Sequence, residues 1–431
     1  MLSQRKTTMR EKALTALVAR PPWPCVHGLE ARATVSTDFL CASPAFKSTT
    51  SGKRHLNILA LISCLVMAGA AQAGWQQSAK LTVSDELVGF GESVAIRPNY
   101  AVVGAPWFDR RTGCAYVFKR YETQWILHAK LTASDGAYND KFGSSVAIDG
   151  DYVIVGAPGH GDLDGGAAYV FNRDGKTWIH QAKLGVPYAG AGAAVGWSVS
   201  IDGDYALVGA PGHDNHRGAA FLFRCKDTEW LNECRLDPSH EYRACDFGWS
   251  VSICGDYAMV GTSSPYSEPG CAYIFRRGEK TWTQQIKLTA PEAASGDKFG
   301  QSVSIDRYYA AAGAAWLTDW PGRVYIFQRE GMKWIQQAKL SGSTAGKEMD
   351  SFGCSVCIGA DCAIVGAQEA GKRGEAYIFR RSDRGWAEQV KLITQDGQTP
   401  YGFGSAVAIC QDYAIVGGTK TESAYVFEMS K

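Results

Sequence analysis

The amino-acid sequence predicts an all-β fold, a seven-bladed β-propeller of four-stranded antiparallel blades. Two observations lead to this prediction. A Phe-Gly phrase recurs seven times at steps of 51 to 53 residues, and a tryptophan phrase typified by WIHQAKL recurs seven times with the same period. Each period contains four short runs rich in Val, Ile, Tyr, Phe and Trp, separated by Gly, Asp, Asn and Pro, which is typical of strands and tight turns. The Phe-Gly phrases, one of them degraded, begin at Phe90, Phe142, Val195, Phe247, Phe299, Phe352 and Phe403.

The second repeat shows the four runs most clearly, as FGSSVAI, DYVIVGAP, AAYVF and WIHQAKL. In the first run the bulky Val146 and Ile148 alternate with the small Ser145 and Ala147, the period-2 pattern of a strand. A sheet with one bulky and one small face fits between two neighbouring sheets. Asp149-Gly150 separates the first two runs and predicts a two-residue hairpin turn.

The order of the runs at the two chain ends predicts how the ring closes. The first tryptophan run, at 75–81, precedes any Phe-Gly run, and the chain stops after the third run of the seventh repeat. We therefore expect 75–81 to supply the missing fourth strand of the last blade and to cover its open edge. An open solenoid is the alternative, but a solenoid does not require this complementary arrangement of its ends.

The repeated words FGSSVAI and VGAP resemble the FG-GAP repeat family, which includes the propeller of integrin α chains. The resemblance covers about residues 75–431 and implies the same propeller fold. In the integrin-type repeat, several blades hold calcium in a loop between the first and second strands. Here that loop is as short as IDGDY, and calcium requires six to eight oxygen ligands. We therefore carry over no calcium site and predict no cofactor.

A leader of different character precedes the repeats. Residues 52–73 join a basic start to the apolar stretch LNILALISCLVMAGAAQA and a small-x-small end, which is typical of a signal peptide. Residues 1–51 are interpreted as a disordered extension or as lying upstream of the true start, and 74–431 as the propeller. An uncleaved membrane anchor and a lipoprotein site at Cys64 remain alternatives. We expect a secreted, periplasmic or cell-surface protein.

The composition argues against several classes of partner. With 44 Lys and Arg against 43 Asp and Glu, the net charge of +1 gives no general attraction to nucleic acid, and a membrane partner is expected only through an uncleaved or lipidated leader. We expect a monomer. Ten of the thirteen cysteines follow the leader, and alignment of the repeats predicts that Cys357 and Cys362 lie opposite each other, as a disulfide or as two free thiols. The sequence contains no zinc-protease, phosphate-loop or nucleophile-elbow motif.

The connections between the repeated runs vary, and in a propeller those between second and third strands gather on one face with the connections between blades. We predict that this face binds a protein or a glycan, since aromatic residues are enriched in recognition surfaces. The alternatives are packing of these aromatics over the rim, a hydrolase or lyase with its site at the channel mouth, and a structural spacer. The ligand-face candidates are Trp107, Phe108, Trp197, Trp249, Tyr266, Trp316 and Trp320.

The loops of the second and third repeats contain the densest group of possible polar or metal ligands. Trp197 and Trp249 follow the Phe-Gly position of neighbouring blades and are expected beside these loops, at the channel mouth. Three interpretations stay open: ordinary exposed polar residues, a recognition patch with an aromatic floor, and a divalent metal site, which would require ligands from two loops to converge. The candidates are His160, Asp162, Asp164, His213, Asp214 and His216.

Overall fold

A computed structural model describes residues 74–84, 89–186, 189–239, 245–263, 269–292, 296–315, 322–343, 350–395, 397, 399–418 and 422–430. These residues form seven four-stranded antiparallel sheets, which confirms the predicted propeller. In chain order the strands are β1 (Trp75–Leu81), β2 (Ser93–Arg97), β3 (Tyr100–Ala105), β4 (Cys114–Tyr121), β5 (Gln124–Leu131), β6 (Ser145–Asp149), β7 (Tyr152–Ala157), β8 (Ala167–Asp174), β9 (Thr177–Leu184), β10 (Val199–Asp202), β11 (Tyr205–Ala210), β12 (Ala219–Lys226), β13 (Glu229–Leu236), β14 (Ser250–Cys254), β15 (Tyr257–Gly261), β16 (Ala272–Arg277), β17 (Trp282–Leu288), β18 (Ser302–Ile305), β19 (Tyr309–Ala314), β20 (Arg323–Glu330), β21 (Lys333–Leu340), β22 (Phe352–Gly359), β23 (Cys362–Ala367), β24 (Glu375–Ser382), β25 (Gly385–Leu392), β26 (Phe403–Cys410), β27 (Tyr413–Gly418) and β28 (Ala424–Met429). Blade 1 is β2–β5, blades 2 to 6 take the following strands in fours, and blade 7 is β26, β27, β28 and β1.

Helical segments occur only as single turns in the connections of the described chain. They are α1 (Phe108–Arg111), α2 (His213–His216) and two 3-10 turns, Asp162–Asp164 and Ala370–Lys372. No helix among the described residues is long and apolar enough to cross a membrane.

The ring closes as predicted, through the pairing of β1 with β28. Trp75 lies opposite Met429 and Leu81 opposite Ala424. Beyond the strands, the Ser430 amide donates to the Gly74 carbonyl at 3.0 Å. The first described residues therefore complete the outermost strand of the last blade.

The two repeated glycine words are explained by contact between neighbouring blades. The glycine of the Gly-Ala-Pro word packs against the carbonyl of the Phe-Gly glycine in the next blade, as Gly104 does on Gly143 and Gly417 on Gly91. A Cβ atom at Gly104 would overlap that carbonyl oxygen, so only glycine fits. The same oxygen of Gly143 accepts a hydrogen bond from the Ser93 hydroxyl at 2.7 Å.

The outer strand of every blade contains a one-residue β-bulge at the same position. Because bulges twist an edge away from flat pairing, they protect the exposed edges from association. In three blades the bulged residue is a glutamine whose side-chain oxygen accepts a 3.3 Å hydrogen bond from a tryptophan indole of the next blade. These pairs are Gln181 with Trp230, Gln285 with Trp334, and Gln389 with Trp75.

Two sequence-based details require correction. The hairpin turn of blade 2 is Gly150-Asp151, since Asp149 still pairs with Tyr152 at the strand end. The prediction that Cys357 and Cys362 lie opposite each other is wrong, because Cys357 pairs with Ile364 and Cys362 with Gly359. The two cysteines are diagonal neighbours, and a diagonal separation of about 7–8 Å exceeds disulfide reach. Both thiols are free.

Candidate binding site on the loop face

The loop face is the end of the ring where second strands lead into third strands and where blades are connected. The opposite end, which carries the turns between first and second and between third and fourth strands, is here called the turn face. At four blade junctions a parallel bridge joins the end of a loop to the Phe-Gly position of the next blade, as between Gly166 and Val195 and between Gly218 and Phe247. A loop of one blade is thereby fixed to the start of the next blade's innermost strand.

Trp197 and Trp249 come together at the loop end of the innermost strands of blades 3 and 4. Their ring centroids are 4.7 Å apart and the rings are inclined at 49°. Trp197 is 39% exposed and Trp249 is half-buried. The backbone amide of Trp249 donates to the Asp246 carbonyl at 3.1 Å, so the backbone at Trp249 forms a hydrogen-bonded turn. The pair therefore forms a continuous aromatic surface on the loop face.

A polar pair joins the blade 3 loop to the connection that leads into Trp249. The Nδ1 atom of His216 lies 2.9 Å from Oδ1 of Asp246, three residues before Trp249. Burial raises the pKa of the Asp246 carboxyl, an effect that the contact with His216 opposes. We name the four residues Trp197, His216, Asp246 and Trp249 the tryptophan patch.

The blade 2 loop is fixed to the segment that leads into Trp197. The Gly192 amide donates to the Leu163 carbonyl at 2.7 Å, and the Ala194 amide donates to the Asp164 carbonyl at 3.3 Å. The Leu163 side chain is 76% exposed. An exposed apolar side chain therefore lies on the loop that is bonded to the segment leading into Trp197.

Three neighbouring loops contain consecutive residues in the left-handed backbone region. The φ angles are 43°, 55° and 66° over Asp109–Arg111, 63° and 57° at Leu163 and Asp164, and 52°, 55° and 66° over Asp214–His216. None of these residues is glycine, and a left-handed conformation costs about 1–2 kcal/mol per residue. Loops held in this conformation present their side chains in defined directions.

His160 is the centre of a separate polar cluster on blade 2. Its Nδ1 is 2.7 Å from Oδ2 of the buried Asp140, and its Nε2 is 2.6 Å from Nζ of Lys183. Because an ammonium group only donates, Nε2 is the acceptor and Nδ1 carries the proton that Asp140 accepts. Lys183 and the Tyr169 hydroxyl also bind Asp135, at 2.6 and 2.8 Å. Burial raises the pKa of Asp135, but these bonds outweigh it and lower the pKa to about 2.

The metal-ligand candidates whose side chains the structure describes are engaged in separate contacts. Both ring nitrogens of His160 have partners, and His213 is buried edge-on to Phe221 at 5.6 Å. Arg235 donates to Asp214 at 2.8 Å and lowers the pKa of that carboxyl. Asp162 and Asp164 lie in the 3-10 turn that bears Leu163. Within the described part of the chain, no three His, Cys, Asp or Glu side chains are placed to hold a metal ion.

The aromatic residues of the blade 1 loop pack over the rim. The Trp107 indole donates to the Glu92 carboxylate, and the Arg111 guanidinium lies 5.1 Å from the Trp107 ring. Nζ of Lys130 lies 3.9 Å from the Phe108 ring centroid. Trp107 and Phe108 therefore pack against neighbouring side chains, which is the packing alternative of the sequence analysis. Tyr266, Trp316 and Trp320 lie outside the described residues.

The ionisable side chains of the innermost strands gather at the turn end of the channel, which sequence analysis missed. Arg97 Nε lies 3.2 Å from Asp149 Oδ1, and burial raises the pKa values of Asp202 and Asp306. A hydrolase or lyase site at the loop-face mouth would need acidic and histidine groups there. Near the described inner-strand entrances on that face, burial raises the pKa of Glu92 and of Asp246, and Asp246 is hydrogen-bonded to His216. The first runs of several repeats end in a charged residue, as in VAIR and VAID. This pattern was the sequence signal for the ionisable side chains at the turn end of the channel.

The model of the FG-GAP repeat family matches residues 75–118, 125–171, 178–223, 282–327, 334–379 and 386–427, more than half of the chain. The chain belongs to the FG-GAP repeat family. The family match leaves out residues 224–281, yet the structure forms β13 of blade 3 and the first three strands of blade 4 there, and β17 completes blade 4.

Curated relatives that match include integrin alpha chains. Human integrin alpha-X is 31% identical over 176 residues, which cover 37% of this chain and 15% of the relative. Human integrin alpha-11 is 28% identical over 171 residues, 36% of this chain and 14% of that protein. Human integrin alpha-D is 29% identical over 176 residues, 37% of this chain and 15% of that protein. The matched segments span about one seventh of these relatives, so the likeness establishes the repeat and the propeller.

Proposed function

We propose that this FG-GAP propeller is an exported, non-catalytic scaffold that binds a protein partner through the tryptophan patch. The contact between Trp197 and Trp249, exposed at the loop end of the innermost strands, supports this proposal most directly. Tryptophan is enriched among residues that contribute most to protein interfaces. The fold does not need these rings, because five of the seven blades have another residue at the same position.

The polar rim of the patch suits a protein surface. His216 and Asp246 form a hydrogen-bonded pair on the connection that leads into Trp249, and His216 lies in the left-handed stretch of its loop. Interfaces of this kind combine a buried aromatic centre with a polar, solvent-accessible edge. A glycan is the second candidate partner from the sequence, and the same rings would stack on sugar faces.

The decisive experiment uses the full chain with both rings removed. We expect Trp197→Ala combined with Trp249→Ala to abolish the capture of a partner that the wild-type chain captures, with the melting temperature preserved. The matched control is Tyr308→Ala, which removes a 54% exposed ring from the turn face. Equal capture by the double variant would refute the patch. The same three proteins on a glycan panel would separate the two classes of partner.

Export is tested independently. Amino-terminal sequencing of the exported protein should give Gly74 as its first residue if residues 52–73 are a cleaved signal peptide. A mature protein that retains 52–73 would support the anchor alternative.

A further inference from the structure

Three blades have an arginine at the same position of their third strand, on the turn face. Arg224, Arg276 and Arg380 each pair with the first residue of the second strand of their own blade. Arg224 lies 4.0 Å from the Glu233 carboxylate, and Arg380 lies 3.4 Å from that of Asp361. These two guanidinium groups therefore have a carboxylate partner within the chain.

Arg276 occupies the corresponding position, but among the described residues no carboxylate lies within ion-pair distance of it. The bulged residue that corresponds to Glu233 is the neutral Gln285. Asp256, which corresponds to Asp361, is occupied by Arg277, whose Nε donates to its Oδ1 at 2.8 Å. The acceptor that Arg276 does contact is the Met332 thioether, 2.9 Å from its Nη1. A thioether is a weak acceptor, so the hydrogen-bonding capacity of this exposed guanidinium is largely unused.

Arg276 faces a surface groove of the described structure. It is an open groove of about 660 Å³ on the turn face between blades 4 and 5, lined among others by Asp256, Arg276, Glu279, Gln285 and Met332. This volume lies within the usual range for ligand sites. Met332 is 60% exposed at its edge and offers a flexible apolar surface beside the charge.

We propose that Arg276 anchors a carboxylate-binding site in this groove. The planar guanidinium fork matches a carboxylate with two parallel hydrogen bonds, and these are stronger than bonds between neutral groups. The Met332 side chain packs against the apolar part of the ligand. Glu279 on the groove wall repels a second negative charge, so the ligand presents one carboxylate to Arg276. Such a group comes from a small carboxylic acid or from an acidic side chain of a protein segment.

The test follows the Met332 methyl resonance while probes are added to the full chain. The probes are propionate, the capped peptide Ac-Gly-Glu-Gly-NH2 and its neutral counterpart Ac-Gly-Gln-Gly-NH2. We expect a saturable shift with a carboxylate probe, at least about tenfold weaker affinity in Arg276→Gln, and tighter binding in Glu279→Gln. Arg380→Gln is the matched control, because Arg380 also contacts a thioether, that of Met429 at 3.5 Å, but has Asp361 as a partner.

The outcomes divide clearly. Saturation by propionate alone identifies a small-molecule site, and saturation by the glutamate peptide alone identifies an acidic protein segment. The proposal is overturned if neither carboxylate shifts Met332 up to about 50 mM, if the glutamine peptide acts equally, or if Arg276→Gln leaves the affinity unchanged. Melting temperatures of the variants exclude unfolding as the cause.

Discussion

Replacing Leu81 by alanine tests whether β1 is an integral strand of the last blade. Leu81 is 2% exposed and packs in the core shared by blades 7 and 1, together with Phe90 and Ala424. Leu340 holds the same place at the end of the outer strand of blade 5 and is 4% exposed. The two leucines differ in chain position: Leu81 lies on β1, which precedes all the repeats, whereas Leu340 directly follows the other strands of its blade.

The expected magnitude follows from burial. A fully buried Leu→Ala change costs about 2–5 kcal/mol. Unfolding entropy of about 2.1 cal/mol/K per residue gives roughly 0.75 kcal/mol/K for residues 74–431, so the melting temperature should fall by about 3–7 °C. Leu340→Ala should give a similar decrease, because the two sites are equally buried.

The assay is thermal unfolding followed by circular dichroism, for both variants and for chains that start at 75 and at 82. Deleting β1 removes Trp75 as well as Leu81 and exposes the edge of β28, so the shorter chain should lose more stability or aggregate. Equal melting temperatures for the two chain lengths would refute the closure. A normal Leu81→Ala beside a destabilised Leu340→Ala would show that β1 contributes little.

Three further predictions concern the blade junctions and the blade 2 cluster. His128→Gln should raise the melting temperature by about 1–2 °C, because a glutamine at this bulge can accept from the Trp178 indole, which has no hydrogen-bond partner among the described residues. An unchanged melting temperature would contradict the role of the glutamine–tryptophan pair. Gly313→Ala should abolish stable folding, since its Cβ would overlap the Gly353 carbonyl, and a soluble variant with wild-type unfolding would argue against this contact. The contribution of Asp135 should be complete above its ordinary pKa of 3.8 and be lost as the pH falls toward about 2, which an NMR titration of its carboxyl carbon measures; a midpoint near 3.8 would contradict it.

The blades could be predicted from the sequence because their constraints recur. Every blade junction requires a glycine such as Gly104, because a neighbouring carbonyl oxygen lies where a Cβ atom would be. This glycine therefore recurs in each repeat of the sequence. Strand alternation was readable for the same reason: Val146 and Ile148 are buried in the core shared by blades 1 and 2, while Ala147 packs toward blade 3.

The bulges of the outer strands could not be predicted from the same words. The phrase WIHQAKL does not show whether one of its residues is left unpaired in the sheet. The bulged residue also has no fixed type. Glutamine occupies the bulge at Gln181 and histidine at His128. The prediction for Cys357 and Cys362 failed because the residues that flank the turn in the repeat alignment were assumed to pair across the hairpin. The turn shifts that pairing by two residues, so Cys357 lies opposite Ile364.

The aromatic loop residues show where sequence reasoning ends. Trp107 and Trp197 were equivalent candidates, yet one packs against the rim and the other is exposed. The difference is made by Glu92, which accepts a hydrogen bond from the Trp107 indole and is itself distant from it in sequence. Glu92 follows the Phe-Gly pair, at a position where the residue type varies among the blades, so no repeat reveals its pairing with Trp107.

The tryptophan patch and the Arg276 groove lie on opposite faces, and this restricts what can bind both. A strand of five or six residues spans about 17–20 Å, so the two sites are separated by roughly the thickness of a blade. A ligand that fits a groove of about 660 Å³ cannot reach from one face to the other. Either a macromolecule passes around the rim of blades 4 and 5, or the two faces bind different ligands. If one macromolecule binds both sites, Arg276→Gln should weaken partner binding at Trp197 and Trp249. If the two faces bind different ligands, that binding should stay unchanged, since the sites share no side chain.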